Sequence, residues 1–398
     1  MMKPRILKKK IRLIKDEMEK LGIDLWLTFT SESGIAGDPL CEDLIGQDVV
    51  GEAAILIFAD WDDVAIMADF DSGGAEGAEY YDVRPYGEGI VEPLREVITE
   101  RKPKVIALNN SFRFPVAAGL RASELKRLED ILPEYKNKFV SSDELIITFR
   151  AVLIEEEIQG LKRAARITNY VYSEIPAFLR PGVTEREARD YIHDVAHDSG
   201  GSLAWPENWC PLVFFGERTG GPLHSPPTER VLQEGELIIT DMGINYEGYC
   251  TDVMRTFYLP KPGETIAPKI YTDAFTTALE CVDMAAQLLR PGVIGNEIDV
   301  RIKDYTKVKG YDPVYFCTGH PIGRTSHEVG PLLGPDTPRY RGASKLEVKA
   351  NMAYAIEPII RTRGKFGVGI EENVLVTEKG VEFLTEREMT LILVGKDQ

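Results

Sequence analysis

The chain is poor in cysteine, histidine, positive charge and long apolar runs, and each shortage removes a class of protein. Its five cysteines (Cys41, Cys210, Cys250, Cys281, Cys317) are odd in number, scattered and without a CxxC pair. That pattern fits reduced thiols better than a disulfide framework, so the sequence points to the cytoplasm. The longest clean apolar run, Ala53 to Ala59, covers seven residues, far below the roughly 20 that cross a bilayer. Lys and Arg number 47 against 64 Asp and Glu, a net charge of −17. Such a surface repels phosphate backbones and anionic lipid, which argues against nucleic-acid and membrane partners. There is no P-loop, no GxSxG elbow and no GxGxxG turn after a strand to carry phosphate-cradling or serine-nucleophile chemistry.

What is present is enough for a packed protein: 398 residues, 43% of them hydrophobic, which predicts at least two cores. The basic run Lys8 to Lys10 lies inside a helical pattern of Leu7, Ile11, Ile14, Met18 and Leu21, and does not read as a secretory leader. Short apolar strands are expected over 24–29, 53–58, 64–68 and 105–108, which is an α/β pattern. This region has no histidine, and its acids are scattered through the expected loop 31–47. It reads as a packing or oligomerisation domain. Near Leu153 the style changes: Ile154, Ile158, Leu161, Ala165 and Ile167 follow helical spacing behind Glu155, Glu156 and Glu157, acids that suit a helix N-terminus. The chain is therefore divided at 1–152 and 153–398.

The second part contains an echo of itself. Leu179-Arg180-Pro181-Gly182-Val183 with Glu187 recurs as Leu289-Arg290-Pro291-Gly292-Val293 with Glu297. Both copies follow a long helical pattern, and a duplicated half with one site between the copies is the natural reading. Each half also contains a hairpin pattern with two acids. In the first, apolar strands flank the turn Asn245-Tyr246-Glu247-Gly248. Pairing Ile244 with Tyr249 sets Asp241 opposite Asp252, with β-carbons roughly 5 Å apart. In the second, a reversal around Gly364 sets Glu357 opposite Glu371. Carboxylates forced together among Ile, Val and Leu repel and lose hydration, so a cation or a shared proton belongs there.

Between the hairpins runs Thr318-Gly319-His320-Pro321-Ile322-Gly323-Arg324-Thr325-Ser326-His327-Glu328. Four carboxylates and one imidazole form a hard, oxygen-rich donor set suited to two divalent ions. His193 and His197, four residues apart on a helical pattern, lack the HExxH glutamate and read as surface or packing residues.

From about residue 151 onward, this ordered motif set resembles the pita-bread metallopeptidases, the group of methionine aminopeptidase, aminopeptidase P, prolidase and creatinase. The first 150 residues look like the extra domain of the creatinase and prolidase branch. The resemblance implies an α/β (α+β) fold whose C-terminal part has two pseudo-symmetric halves. It implies metal ligands Asp241, Asp252, His320, Glu357 and Glu371, with Asp252 and Glu371 bridging two ions. It further implies that His224 and His327 bind substrate and steady the tetrahedral intermediate, and Glu357 is the candidate to move the proton.

Manganese, cobalt, zinc and iron all suit such a site; manganese is the expectation. The expected reaction is hydrolysis of Xaa-Pro bonds, foremost in dipeptides. Cleavage of longer peptides, a different small substrate, and a non-catalytic binding module stay open. A homodimer is the family expectation, with the 31–47 segment placed to reach a neighbouring subunit's site. Three positions depart from the pattern common in the prolidase branch: Pro321 stands where Gly usually follows the ligand histidine, Phe316 where a His is frequent, and Gly369 where an Arg is frequent. They bear on specificity and rate, and none is a metal ligand.

Overall fold

The computed structural model describes residues 2–73, 80–312 and 314–395. Two compact units are present, Met1–Arg150 and Ala151–Gln398.

In the first unit, the Pro4–Leu21 helix begins with proline, where the missing N–H costs nothing, and ends at Gly22 in the left-handed region (φ 65°). It buries Ile6, Leu7, Ile11, Ile14 and Met18. Leu21, expected on the same face, sits in the last turn and stays exposed. Six strands, β1 (Leu25–Thr30), β2 (Ala53–Phe58), β3 (Val64–Ala68), β4 (Asp82–Tyr86), β5 (Ile106–Leu108) and β6 (Phe139–Ser141), form one mixed sheet ordered β4-β3-β2-β1-β5-β6. The four strands expected from sequence are the buried centre. β4 and β6 are the edges, and their half-exposed residues carry no apolar alternation to announce them. The stretch read as a loop contains the short helices Ser33–Ala36 and Cys41–Ile45. Two of its acids are structural: Asp38 accepts from Asn109 Nδ2 at 2.7 Å, and Asp43 pairs with Arg150 at 2.6 Å.

The second unit has the α/β build the resemblance implies, and its two halves repeat each other in detail. The Glu155–Phe178 helix is followed by Glu185–Asp198, and the Lys269–Leu288 helix by Gly295–Val308. Between the members of each pair stands the repeated turn, with Gly182 at φ 94° and Gly292 at φ 83°. Gly182 N–H donates to the Leu232 carbonyl and Gly292 N–H to that of Val348. Isolated bridges Thr184–Val231 and Ile294–Glu347 complete the correspondence. The sequence echo is thus a repeated backbone motif.

The strands of this unit are β7 (Ser202–Leu203), β8 (Leu212–Phe215), β9 (Glu236–Met242), β10 (Ile244–Tyr246), β11 (Tyr249–Cys250), β12 (Val253–Leu259), β13 (Gly319–Ile322), β14 (Ala353–Ile356), β15 (Ile359–Thr362), β16 (Phe366–Gly369), β17 (Glu372–Thr377), β18 (Gly380–Phe383) and β19 (Ile392–Leu393). They form sheets ordered β11-β10-β7, β19-β12-β9-β8, β13-β14-β17-β18 and β15-β16. The first half's sheet packs Val213, Phe215, Ile238, Val253 and Phe257 with Val171, Ile175 and Ile192 of its helices. No helix among the described residues is long and apolar enough to cross a membrane.

Candidate metal centre

Each hairpin delivers its acids by register. In the first, the turn is two residues long, Glu247 and Gly248, both at positive φ (50° and 85°). This is the turn whose twist matches that of paired strands. Tyr246 therefore pairs with Tyr249, and Asp241 lies opposite Met254. The expected direct pairing of Asp241 with Asp252 is corrected: Asp252 is the diagonal neighbour, on the same sheet face and still within reach. In the second hairpin, Ile356 pairs with Glu372 and Ile359 with Gly369. One register runs through both ladders, and it sets Glu357 opposite Glu371 as expected.

His320 enters on β13, paired with Ala355 of β14. The residue before it must be small. A Cβ on Gly319 would stand 2.4 Å from the Ala355 carbonyl oxygen, so only glycine lets the two strands close.

Together these elements gather Asp241, Asp252, His320, Glu357 and Glu371. Three overlapping triads, Asp241/Asp252/Glu371, His320/Glu357/Glu371 and Asp252/His320/His327, each offer ligand atoms within 4.8 Å of one another. His320 Nε2 is 3.6 Å from Glu357 Oε1, 3.8 Å from Asp252 Oδ2 and 3.9 Å from Glu371 Oε1. His327 lies at the rim, its side chain 76% exposed, with Nε2 3.8 Å from Asp252 Oδ2 and its ring edge-on to that of His320 at 4.4 Å. His224 is exposed and its ring lies 5.0 Å from that of Trp209.

The electrostatics show that the cluster calls for positive charge. Burial raises the Asp241 carboxyl to about 7. Burial, with a smaller push from Asp241, raises Glu357 to about 8. Asp252 and Glu371 are raised well above the usual range by burial and by the neighbouring acids. Burial, reinforced by His327, lowers His320 to about 3, which keeps the imidazole neutral with a lone pair to give. Asp241 Oδ1 is buried and, among the described residues, has no hydrogen-bond partner. A buried orphan acceptor, mutually repelling carboxylates and a neutral imidazole fit divalent cations, not protons alone.

Several supports escape a reading of the sequence because their partners are far away along the chain. Arg255, 4% exposed, donates to the Glu371 carbonyl at 2.6 Å and pairs with Glu372 at 3.0 Å. The Glu372 carboxylate also accepts from Thr385 Oγ1 at 2.6 Å. Asn373 Oδ1 accepts from the Asp252 N–H at 3.1 Å. These bonds hold in place the backbone around Asp252 and Glu371, at the starts of β12 and β17. Cys317 Sγ lies 3.3 Å from Glu357 Oε1.

The three departures also have physical surroundings. Pro321 lies within β13 opposite Tyr354. Phe316 packs on the cluster of Leu212, Phe214, Ile239, Met254 and Ile359. A Cβ at Gly369 would stand 2.5 Å from Met254 Sδ, so methionine fills the space a larger side chain would need. His193 lies against the Cys210 carbonyl at 2.6 Å and His197 at 3.8 Å from exposed Glu207.

Comparison with known proteins gives the family and the fold. The model of metallopeptidase family M24 matches residues 159–378. An uncharacterized peptidase of Staphylococcus aureus (strain bovine RF122 / ET3-1) is 31% identical over 253 residues, covering 63% of this chain and 67% of its own. Among solved structures, a Xaa-Pro dipeptidase from Bacillus anthracis superposes with a TM-score of 0.76 at 24% identity, over 98% of this chain and 100% of that one. At that identity the likeness is one of fold. An X-Pro aminopeptidase from Thermotoga maritima MSB8 gives 0.72 at 25% identity, over 95% and 100%.

Proposed function

Because the chain belongs to metallopeptidase family M24, we propose that it hydrolyses Xaa-Pro peptide bonds with two divalent cations, acting foremost on dipeptides. The observation that carries the reading is the set of four carboxylates, two buried and two half-buried, around one neutral imidazole. Asp241, Asp252, His320, Glu357 and Glu371 are the residues that would hold the cations. When bound, such cations supply Lewis-acid chemistry, easing deprotonation of water and polarising a carbonyl.

The chain's own groups account for the rest. His320 brings a lone pair without a proton, and the carboxylates supply the negative charge that offsets the cations. Glu357, half-buried beside the Cys317 thiol, is the group proposed to carry a proton from water to the leaving nitrogen. His327, exposed within 3.8 Å of Asp252, can donate to the oxygen that gains charge in the transition state. His224 is proposed to hold the peptide beside Trp209.

Manganese is the proposed native metal, cobalt, zinc and iron being chemically suitable. The unpaired cysteines support a reducing, cytoplasmic setting. The dipeptide preference is supported by the likeness to a putative dipeptidase of Bacillus subtilis, 30% identical over 258 residues, and the longer-peptide reading by that to the Thermotoga maritima aminopeptidase.

The test sets a Xaa-Pro dipeptide beside a Xaa-Pro-Yaa tripeptide, with manganese-reconstituted protein and a chelated control. Metal-dependent proline release from the dipeptide alone is expected. Cleavage of the tripeptide would instead make the protein an aminopeptidase. Binding of two metals with no cleavage of either would point to another substrate at the same site.

A further inference from the structure

The segment that leads into His320 is held from behind by a buried ion pair that the proposed reaction does not use. Asp299, on the Gly295–Val308 helix, is fully buried. Its Oδ1 accepts from Thr318 Oγ1 at 2.8 Å, and its Oδ2 lies 2.9 Å from Lys303 Nζ. Lys303, one turn further along the helix, donates to the Phe316 carbonyl at 2.7 Å. Residues 316 and 318 are thus both fastened to one helix face. Cys317, between them, is turned towards the Glu357 carboxylate, with Sγ 3.3 Å from Oε1.

Among the described residues, this thiol is the one hydrogen-bond donor to the Glu357 carboxylate. A small pocket of about 20 Å³, with Ile302, Val314, Phe316, Pro358 and Ile359 in its walls, lies beside the same group. These apolar neighbours offer the carboxylate no hydrogen bond, so the directional restraint comes from sulfur. A thiol is a weak, long donor, so it can orient an oxygen without locking a proton onto it.

We propose that Cys317, set in place by the Asp299–Lys303 pair, is a positioning residue that fixes the orientation of the Glu357 carboxylate. The inference rests on the reading of Glu357 as a ligand and proton carrier. Cys317 itself touches neither metal nor substrate in this account, and acts only through Glu357.

The experiment uses the full-length chain and three substitutions: Cys317→Ala, Cys317→Ser and Asp299→Asn. Manganese binding is followed by titration calorimetry and turnover by steady-state kinetics on a Xaa-Pro dipeptide. Cys317→Ala is expected to lower kcat about tenfold and weaken manganese binding by a similar factor, with KM within about twofold, the usual scale for one hydrogen bond to a charged group. Cys317→Ser keeps a donor and should recover most of both losses. Asp299→Asn should fall between the two.

Wild-type kcat and manganese affinity in Cys317→Ala would overturn the proposal, as would a serine variant no better than the alanine one. If the wild-type protein released no proline from any peptide, the functional reading would fall. The manganese titration would still decide the positioning role by the same comparison.

Discussion

At the scale of single residues, the site is defined by acids that are more basic than acids should be. A carboxyl whose pKa is raised on folding keeps its proton in the native state at pH values where the unfolded chain has already lost it. Below about pH 4 both states are protonated and nothing is lost. As pH climbs from about 4 towards about 7 for Asp241 and about 8 for Glu357, the unfolded chain gives up protons that the native state still holds. Unfolding becomes progressively easier across that window and levels off above it. The metal-free protein, kept in chelator, is therefore expected to melt at a lower temperature at pH 8 than at pH 5. Saturating manganese should raise the pH 8 melting temperature most, because the cations bind only the assembled site. A flat melting profile between those pH values in chelator would contradict the burial of the four acids.

The identities of these residues were legible because acids inside apolar strands are conspicuous. Arg255, Asn373 and Asp299 were not, since a buried ion pair or amide has no local signature and acquires meaning only from a partner more than a dozen positions away.

At the scale of elements, two hairpins and one short strand do the positioning, and their tolerances are set by backbone contact. Gly319 is the tightest point. An added methyl there meets a carbonyl oxygen of β14, which cannot swing aside as a side chain could. Gly319→Ala is expected to cost about 1–3 kcal/mol of stability and to weaken manganese binding by pushing His320 out of line. Thermal unfolding and calorimetry on the same variant would check both. Unchanged values would mean that β13 and β14 have slack.

The elements also show what pattern reading can and cannot do. The second hairpin was readable to the residue, because the reversal at Gly364 is symmetric and the register runs on through Ile356 and Glu372. The first was off by two residues, because a four-residue polar run conceals a two-residue turn made possible by positive φ at Glu247. Alternation along the strands was preserved, so the face was right and the partner wrong. Edge strands β4 and β6 had no signal at all, since half-exposed strands need no alternation.

At the scale of the whole molecule, the echo at Leu179 and Leu289 marks a duplicated architecture, and the chain is expected to work as a homodimer. Equilibrium sedimentation should give twice the chain mass of 44.5 kDa; a pure monomer at micromolar concentration would remove the idea that the 31–47 segment serves a neighbouring subunit. The duplication also sets an order of events during synthesis. The first half, with Asp241 and Asp252, leaves the ribosome well before Glu357 and Glu371 have been translated, and N-terminal portions fold first. The early pair must then wait without its counterparts, open to water and ionised as ordinary aspartates are. Cation capture is therefore a closing step of biogenesis, possible only once β17 has emerged, and a nascent chain arrested before that strand should be unable to retain metal however much is supplied.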